Sequence, residues 1–502
     1  MRKPVCLITP PSAFLLDERV FMSLGILKVG AVLERAGFTV EVLDLSGVSN
    51  FEEVARLHAK NSDAKIFGIT STTPQLPSAR KIAESIKSVR DDARLILGGP
   101  HVTLTSVARK NEVKRGIQSR AHEAMVVLEK HFDVLVAGDG EEAILRAVVE
   151  NPPKLIDADD PNSDLFLRAG NLETYPFPAR HLIDVDSYKY KIDGERALSL
   201  IAQLGCPFPC GFCGGRLSPS FRRARIRSAE NVIAEMVHLH KEYGVKGMML
   251  YDDELNVNQG MLPLMCGIQD VQSELGVSWR LRGFVKSQLL TDEQAKAMYD
   301  AGFRWILVGF ESGSPCILKN MNKRATREEN TRCMEIARRH GLKVKALLSI
   351  GHPGESGETI RATEDWLLKV APDDFDVSII TTYPGTPYYD FALPHSSKPG
   401  IWVYTSNGDN LYSVDVDFST EAEYYKGKPD GGYKSFVYTD YLTRDELVAM
   451  RDSLERNVRH ILNIPYNTSS LAIRYEHSMG QTGPLPSNIL RQSAGVLIKK
   501  AL

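Results

Sequence analysis

This chain of 502 residues carries no excess of charge of either sign: 61 lysines and arginines stand against 63 aspartates and glutamates, a formal net charge of −2. Such a balance gives no electrostatic footing for a nucleic acid or a membrane surface, and neither is expected as a partner. Long apolar runs are missing as well, since no stretch approaches the ~20 apolar residues of a spanning helix. Nothing at the amino end reads as a secretory leader, because Met1 to Pro4 leads straight into the strand-like Val5-Cys6-Leu7-Ile8. Cysteine is scarce. Seven in all, an odd number with three crowded together, argue against a disulfide framework and for a reducing cytoplasm. Cys6, Cys266, Cys316 and Cys333 stand alone and read as small buried apolar side chains. With 43% hydrophobic and 25% charged residues, the chain has the composition of a globular protein with room for two or three domains.

The crowded cysteines are Cys206, Cys210 and Cys213. They form C-x3-C-x2-C directly after the apolar stretch Leu198 to Leu204, so all three thiols sit in one loop at the end of a strand. Three soft thiolates in so short a run suit an iron–sulfur cluster, and a four-iron cluster with three protein ligands keeps one iron open for a small molecule. Zinc is the other reading. A structural zinc site wants a fourth ligand, usually in a second C-x2-C or a histidine pair, and none follows.

The spacing, with the aromatic Phe212 just before the third cysteine, resembles the signature of the radical S-adenosylmethionine (radical SAM) enzymes. The resemblance implies a 4Fe-4S cluster held by Cys206, Cys210 and Cys213. It further implies S-adenosyl-L-methionine on the open iron, an electron that cleaves it to a 5'-deoxyadenosyl radical, and Phe212 and Gly214 beside that cofactor.

The first 150 residues read as a separate α/β unit. Strand-like segments Val5 to Thr9, Thr39 to Leu43, Ile66 to Thr70, Leu95 to Leu97 and Val134 to Ala137 alternate with amphipathic helices such as Gly25 to Ala36 and Leu76 to Val89. That rhythm predicts a doubly wound parallel sheet whose ligand crevice lies at the carboxyl ends of the strands. The loops leaving those ends are Ser71-Thr72-Thr73, Gly98-Gly99-Pro100-His101 and Gly138-Asp139-Gly140-Glu141. Together they resemble the cobalamin-binding domain that precedes the radical core in one large class of the superfamily. Ser71, Thr72, Gly98, Gly99, His101, Gly138, Gly140 and Glu141 are then expected to bind cobalamin. A D-x-H-x-x-G after the first strand is absent; that loop reads Pro10-Pro11-Ser12-Ala13-Phe14-Leu15-Leu16-Asp17, so cobalt is expected without a histidine from it.

Residues 151–194, rich in proline and acidic side chains, read as a linker. From Leu198 the rhythm resumes for six units, with strands expected at Leu198 to Leu204, Met248 to Tyr251, Ser278 to Phe284, Arg304 to Phe310, Lys343 to Ile350 and Asp376 to Thr382. Thr291 with Gln294 and Thr326 with Glu329 form capping boxes at helix starts. Six units fall short of the eight that close a barrel, so a partial (β/α)6 barrel over 195–395 is expected, with its site at the carboxyl ends of the strands. By resemblance, Asp252 and Asp253 after the second strand, Arg282 on the third, and Glu311 and Ser312 after the fourth are candidates for holding S-adenosyl-L-methionine. Tyr383 after the sixth is a candidate wall of the substrate cavity. The extension 396–502 holds ten aromatics between Trp402 and Tyr441, suited to plugging the open side of the barrel or walling a radical from water.

The resemblance implies a cobalamin-dependent radical SAM enzyme. Its expected reaction is methylation of an unactivated carbon, or of a phosphinate phosphorus, in a small-molecule substrate, with electrons from a donor such as flavodoxin or ferredoxin. The alternatives are a non-methylating rearrangement, cyclisation or ring contraction with the same cofactors, and a sensor without turnover. Changing Cys206, Cys210 and Cys213 together to alanine should abolish the cluster and leave cobalamin binding intact. Iron analysis and the visible spectrum decide, and about four irons per chain retained in the variant would refute the cluster assignment.

Overall fold

The structure is a computed structural model that describes residues 4–12, 18–421, 434–465 and 490–493. Five strands of the first unit are β1 (Val5–Thr9), β2 (Val40–Asp44), β3 (Ile66–Thr70), β4 (Arg94–Gly98) and β5 (Val134–Gly138). They lie parallel in the order β2-β1-β3-β4-β5. Their near-continuous apolar runs are what burial under helices on both faces demands. A sixth parallel strand, β6 (Leu155–Ala158), adds to β5 from within the segment expected to be only a linker.

The second unit starts with a small edge strand, β7 (Lys191–Ile192), antiparallel to β8 (Glu195–Leu200). A short antiparallel pair, β9 (Gln203–Leu204) and β10 (Arg225–Ile226), brackets the cysteine loop. Then come β11 (Gly247–Leu250), β12 (Arg280–Phe284), β13 (Phe303–Glu311), β14 (Lys343–Ile350) and β15 (Asp374–Ile379), which with β8 make six parallel strands in sequence order. This is the partial (β/α)6 barrel. Leu198, Leu200, Met248, Leu250 and Leu281 face the helices, whereas Ala197, Met249 and Leu307 cluster on the inner face with Phe21 and Tyr190. The capping boxes of Thr291 and Thr326 are both formed.

Beyond the barrel, β16 (Leu393–Pro394), β17 (Ile401–Ser406), β18 (Asp409–Val414) and β19 (Val437–Thr439) form an antiparallel sheet. A helix capped by Thr443 follows, and β20 (Leu490–Gln492) returns to pair antiparallel with β2 of the first sheet. Tyr412 stacks on Tyr438 at 4.7 Å, and Tyr404 packs on Tyr388 at 4.8 Å. The Arg120 guanidinium sits between Tyr389 and Trp402, at 3.6 and 4.1 Å from the ring centres. Trp402 therefore ties the extension to a helix of the first unit. Tyr424, Tyr425 and Tyr433 lie outside the described residues. The isolated cysteines divide: Cys6 and Cys333 are buried, but Cys266 and Cys316 are exposed, contrary to the expectation for them.

One buried ion network locks the connecting segment to the barrel. Glu235, on the helix Ala229–Tyr243, accepts from Arg180 at 2.8 Å and from Arg227 at 2.6 Å, and Arg180 also donates to the Ser199 carbonyl at 2.8 Å. All three side chains are buried, so the two cations hold the Glu235 carboxyl below the ordinary range. Glu235→Leu would leave two guanidinium groups buried without their anion and should cost about 3–5 kcal/mol of stability in chemical denaturation. A loss under about 1 kcal/mol, the size of a surface pair, would mean that the network does not carry this junction.

Candidate active site

The cysteine loop has no regular backbone of its own and is held by a guanidinium. Arg216 donates to the carbonyls of Cys206 (3.0 Å), Phe208 (2.5 Å) and Gly214 (3.1 and 3.2 Å), a fork that fits several acceptors at fixed angles. The Cys206 N–H donates to the Phe221 carbonyl, and the Gly211 N–H to that of Met321. Burial pushes the Cys213 thiol up to about 12, so a metal bound there must displace its proton. Among the described residues, the three thiols are not drawn to within 4.8 Å of one another. One tetrahedral zinc needs its donors about 3.5 Å apart, so the loop suits a larger cluster better than a single ion.

The acidic turn after β11 is tied to the backbone ahead of the cysteine loop. Asp252 is buried, and its Oδ1 accepts the N–H groups of Ala202 (2.6 Å) and Gln203 (2.7 Å), while Gln203 Nε2 donates to the Glu254 carbonyl at 2.6 Å. This is why β8 stops at Leu200 and not at Leu204: a carboxylate takes the N–H groups there. Burial raises Asp252 to about 7. Asp253 is exposed and accepts the Gly205 N–H. Both acids brace the approach to the cysteine loop.

Glu311 stands at the end of β13 in the left-handed region, φ 66°, where the register with β14 shifts. Such a conformation costs a non-glycine residue about 1–3 kcal/mol and is kept where the surroundings fix it. Here the carboxylate accepts from Lys323 Nζ (3.0 Å) and Ser349 Oγ (2.9 Å). Ser349 also meets His352 Nε2 at 2.9 Å, His352 Nδ1 meets the Tyr388 hydroxyl at 3.2 Å, and the Phe212 ring stands edge-on to His352 at 5.3 Å. Burial holds His352 neutral, its pKa lowered to about 4. Lys286, also buried, sets its ammonium over the Phe208 ring at 4.5 Å. Ser312 faces Thr363 at 3.0 Å and caps its own turn. Arg282 lies mid-strand on the inner face, with the Trp305 ring 5.7 Å away and Tyr190 beside it. Arg216, Lys323 and Lys286 belong to this centre with His352 of the 351–355 turn, and no sequence motif marks the first three.

A cavity of about 550 Å³ opens at the carboxyl ends of the first sheet. Thr72, Gly98, Gly99, Gly138, Gly140 and Glu141 line it, with Gln203, Leu204, Phe221 and Tyr251 of the second unit on its far side. Gly99 and Gly138 have φ of 96° and 91°, and a Cβ at Gly138 would lie 2.4 Å from the Ala158 backbone, so glycine is required there. Glu141 is raised by burial and Asp139 to about 7. Two of the expected residues are not in the cavity's lining. His101 is turned into the core, its ring between Thr73 (3.0 Å) and Thr105 (3.4 Å), with burial lowering it to about 4. Ser71 is fully buried and donates to the Thr72 carbonyl. The helix Pro100–Lys114 leaves the Gly98-Gly99 turn and brings Leu104 against Gly214 and Gly385, where the Tyr383 ring also lies.

A family model described as the Radical SAM superfamily matches residues 200–367, and one described as the B12 binding domain matches residues 18–148. The chain is a radical SAM enzyme with a B12-binding domain. It is 29% identical over 402 residues to an uncharacterized methyltransferase of Pyrococcus horikoshii, covering 78% of this chain and 83% of that protein. It is 24% identical over 367 residues to the anaerobic magnesium-protoporphyrin IX monomethyl ester cyclase of Rubrivivax gelatinosus, covering 70% of this chain and 62% of that protein. The solved structure of the radical S-adenosylmethionine methyltransferase TsrM from Kitasatospora setae, with cobalamin and a 4Fe-4S cluster bound, shares the fold. Its TM-score is 0.63 at 18% identity, over 92% of this chain and 91% of that one.

The cofactors of this radical SAM enzyme are therefore a 4Fe-4S cluster, S-adenosyl-L-methionine and cobalamin. Its residues fit them: the thiols are spaced too widely for one ion, and the glycine-edged cavity lies where parallel α/β sheets take their ligands. Arg216→Ala removes the fork that shapes the cysteine loop, and charged hydrogen bonds of this kind are worth about 1.5–3 kcal/mol each. Iron after reconstitution should fall well below wild type while cobalamin binding stays unchanged, and Arg216→Lys should not restore it. Wild-type iron in the alanine variant would sink this role.

Proposed function

We propose that this enzyme transfers a methyl group to an unactivated carbon, or to a phosphinate phosphorus, of a small molecule. The observation that carries the proposal is the wall shared by its two cofactor sites. The helix that starts at the cavity's Gly98-Gly99 edge ends its first turns against Gly214 of the cysteine loop and beside Tyr383. The Pyrococcus relative is named a methyltransferase, which favours methyl transfer as the use of that juxtaposition.

In this reading residues 1–150 hold cobalamin, 151–194 connect, 195–395 hold the cluster and S-adenosyl-L-methionine, and 396–502 close the open side. Cys206, Cys210 and Cys213 are the cluster's ligands. Thr72, Gly98, Gly99, Gly138, Gly140 and Glu141 receive the cobalamin, and Phe212, Gly214 and Glu311 face S-adenosyl-L-methionine. Bound together, the cofactors supply a radical able to take hydrogen from carbon and a methyl group to transfer. The chain's own share is placement. Arg216 keeps the loop carbonyls turned inward, the paired Glu311 and Lys323 present fixed charges, and Tyr383 with Leu104 excludes water from the gap. Reduction would come from a flavodoxin or ferredoxin in a reducing cytoplasm; the seven cysteines are all free, and among the described residues no helix is long and apolar enough to cross a membrane.

The likeness to the Rubrivivax cyclase supports a second reading, a cyclisation or rearrangement without methyl transfer. The products separate the two. A methylating enzyme releases S-adenosylhomocysteine from one S-adenosyl-L-methionine and 5'-deoxyadenosine from another, whereas the second reading requires only 5'-deoxyadenosine. Reduced holoenzyme given candidate substrates and methyl-deuterated S-adenosyl-L-methionine should yield both products and a labelled methyl group in the substrate. 5'-Deoxyadenosine with S-adenosylhomocysteine at background and no label transferred would replace the first reading with the second.

A further inference from the structure

Away from the cavity, three donor side chains converge on one point of the first sheet. Cys6 on β1 and Glu41 on β2 are register partners, so their side chains stand on the same face, and His58 reaches them from the helix Phe51–Asn61. Cys6 Sγ lies 3.4 Å from His58 Nε2, Glu41 Oε2 lies 3.1 Å from the same nitrogen, and the three donor atoms all fall within 4.8 Å of one another. Cys6 and Glu41 are buried, while the His58 side chain keeps 10% of its surface exposed. The face is the one opposite the cavity, because the neighbouring Leu7 lines the cavity and Cys6 alternates away from it.

A neutral imidazole offers one hydrogen at Nε2, yet a sulfur and a carboxylate oxygen both approach that atom. This is no nucleophilic triad, in which the carboxylate would orient the histidine through its other nitrogen. The 3.4 Å between Cys6 and His58 instead matches an edge of a tetrahedron around zinc, for which bonds of about 2.3 Å to sulfur and about 2.0–2.1 Å to nitrogen and oxygen give edges of about 3.3–3.6 Å, and the 3.1 Å between Glu41 and His58 falls about 0.2 Å short of that range. Charge agrees as well, since a thiolate, a carboxylate and a neutral imidazole balance a divalent cation. We propose that Cys6, Glu41 and His58 form a structural site for a divalent, zinc-like cation, with the fourth position near Ser62. The Ser62 hydroxyl lies 2.8 Å from the Glu41 carboxylate. Without the ion, burial and Glu41 keep the Cys6 thiol protonated, so binding releases a proton. The ion would clamp β1, β2 and the helix that follows β2. It would also steady the edge that receives β20, where Gln492 donates to Glu41 Oε1 at 3.2 Å.

The test uses full-length protein with its iron cluster fully loaded, so that the thiols of the 206–213 loop are occupied. After addition of zinc chloride and desalting, elemental analysis should find one zinc per chain, and zinc X-ray absorption should show a single sulfur at about 2.3 Å with nitrogen or oxygen completing the shell. His58→Gln and Cys6→Ser should each lose the zinc while iron and cobalamin contents stay at wild-type levels; the partly exposed His58 makes the first variant the safer one to fold. Wild-type protein that retains no zinc, variants that retain it, or a shell of several sulfurs would overturn the proposal.

Discussion

The Arg216 guanidinium is the point on which the catalytic half of the molecule turns. An irregular loop that must offer three thiols to one cluster cannot satisfy its carbonyls in a ladder, and unpaired buried carbonyls are expensive. Arg216 gathers those of Cys206, Phe208 and Gly214 on one planar fork, with the Cys206 and Cys213 thiols close to the same guanidinium. Asp252 does the complementary work at the loop's approach by accepting the N–H groups of Ala202 and Gln203. A cation for the carbonyls and an anion for the amides together replace the secondary structure that the loop lacks.

The same economy joins the two units. Asp159, just past β6, accepts from Ser218 Oγ (2.7 Å) and from the Ser220 N–H (2.9 Å), on the segment that follows the cysteines. Asp139 pairs with Arg225, which also donates to the Leu167 carbonyl at 3.0 Å and the Ser220 carbonyl at 2.9 Å. Both acids leave the carboxyl ends of first-sheet strands, and both partners flank the cysteine loop. The rim of the cavity is thus also the seam with the second unit. The cavity's far side is built from Gln203, Leu204, Ser220 and Phe221, the residues that bracket the cysteine loop.

The strands were legible because their signals are local. Apolar runs bounded by Gly, Pro and acidic turns locate β1 to β5 and the six barrel strands to within a few residues, and the C-x3-C-x2-C spacing locates the loop. Contacts made across the fold were not legible. His101 follows a Gly-Gly-Pro turn like a ligand, yet it sits in the first turn of a helix whose inner face is buried, and its ring goes to Thr73 and Thr105. Asp252 reads as a ligand-facing carboxylate until the end of β8 is seen to need an acceptor. β6 hides in a proline-rich stretch because four residues, half of them shielded by the sheet, carry no periodicity. Arg216 follows the cysteines closely, but a lone arginine has no signature until its three carbonyls are known.

β1 shows how much one short strand can hold. Its alternation sends Leu7 to the cavity side and the core shared with the barrel, and sends Cys6 and Ile8 to a separate core beneath the opposite helices. The two faces can therefore be specified independently: a change at Cys6 alters packing and donors beneath the outer helices, a change at Leu7 alters the cavity floor, and the backbone ladder to β2 and β3 is common to both. Gly68, opposite Leu7 on β3, shows the constraint on the cavity side, since a Cβ there would lie 2.9 Å from the leucine side chain. Gly68, Gly98 and Gly138 leave room on that face beside the bulkier Leu7, Ile96 and Val136.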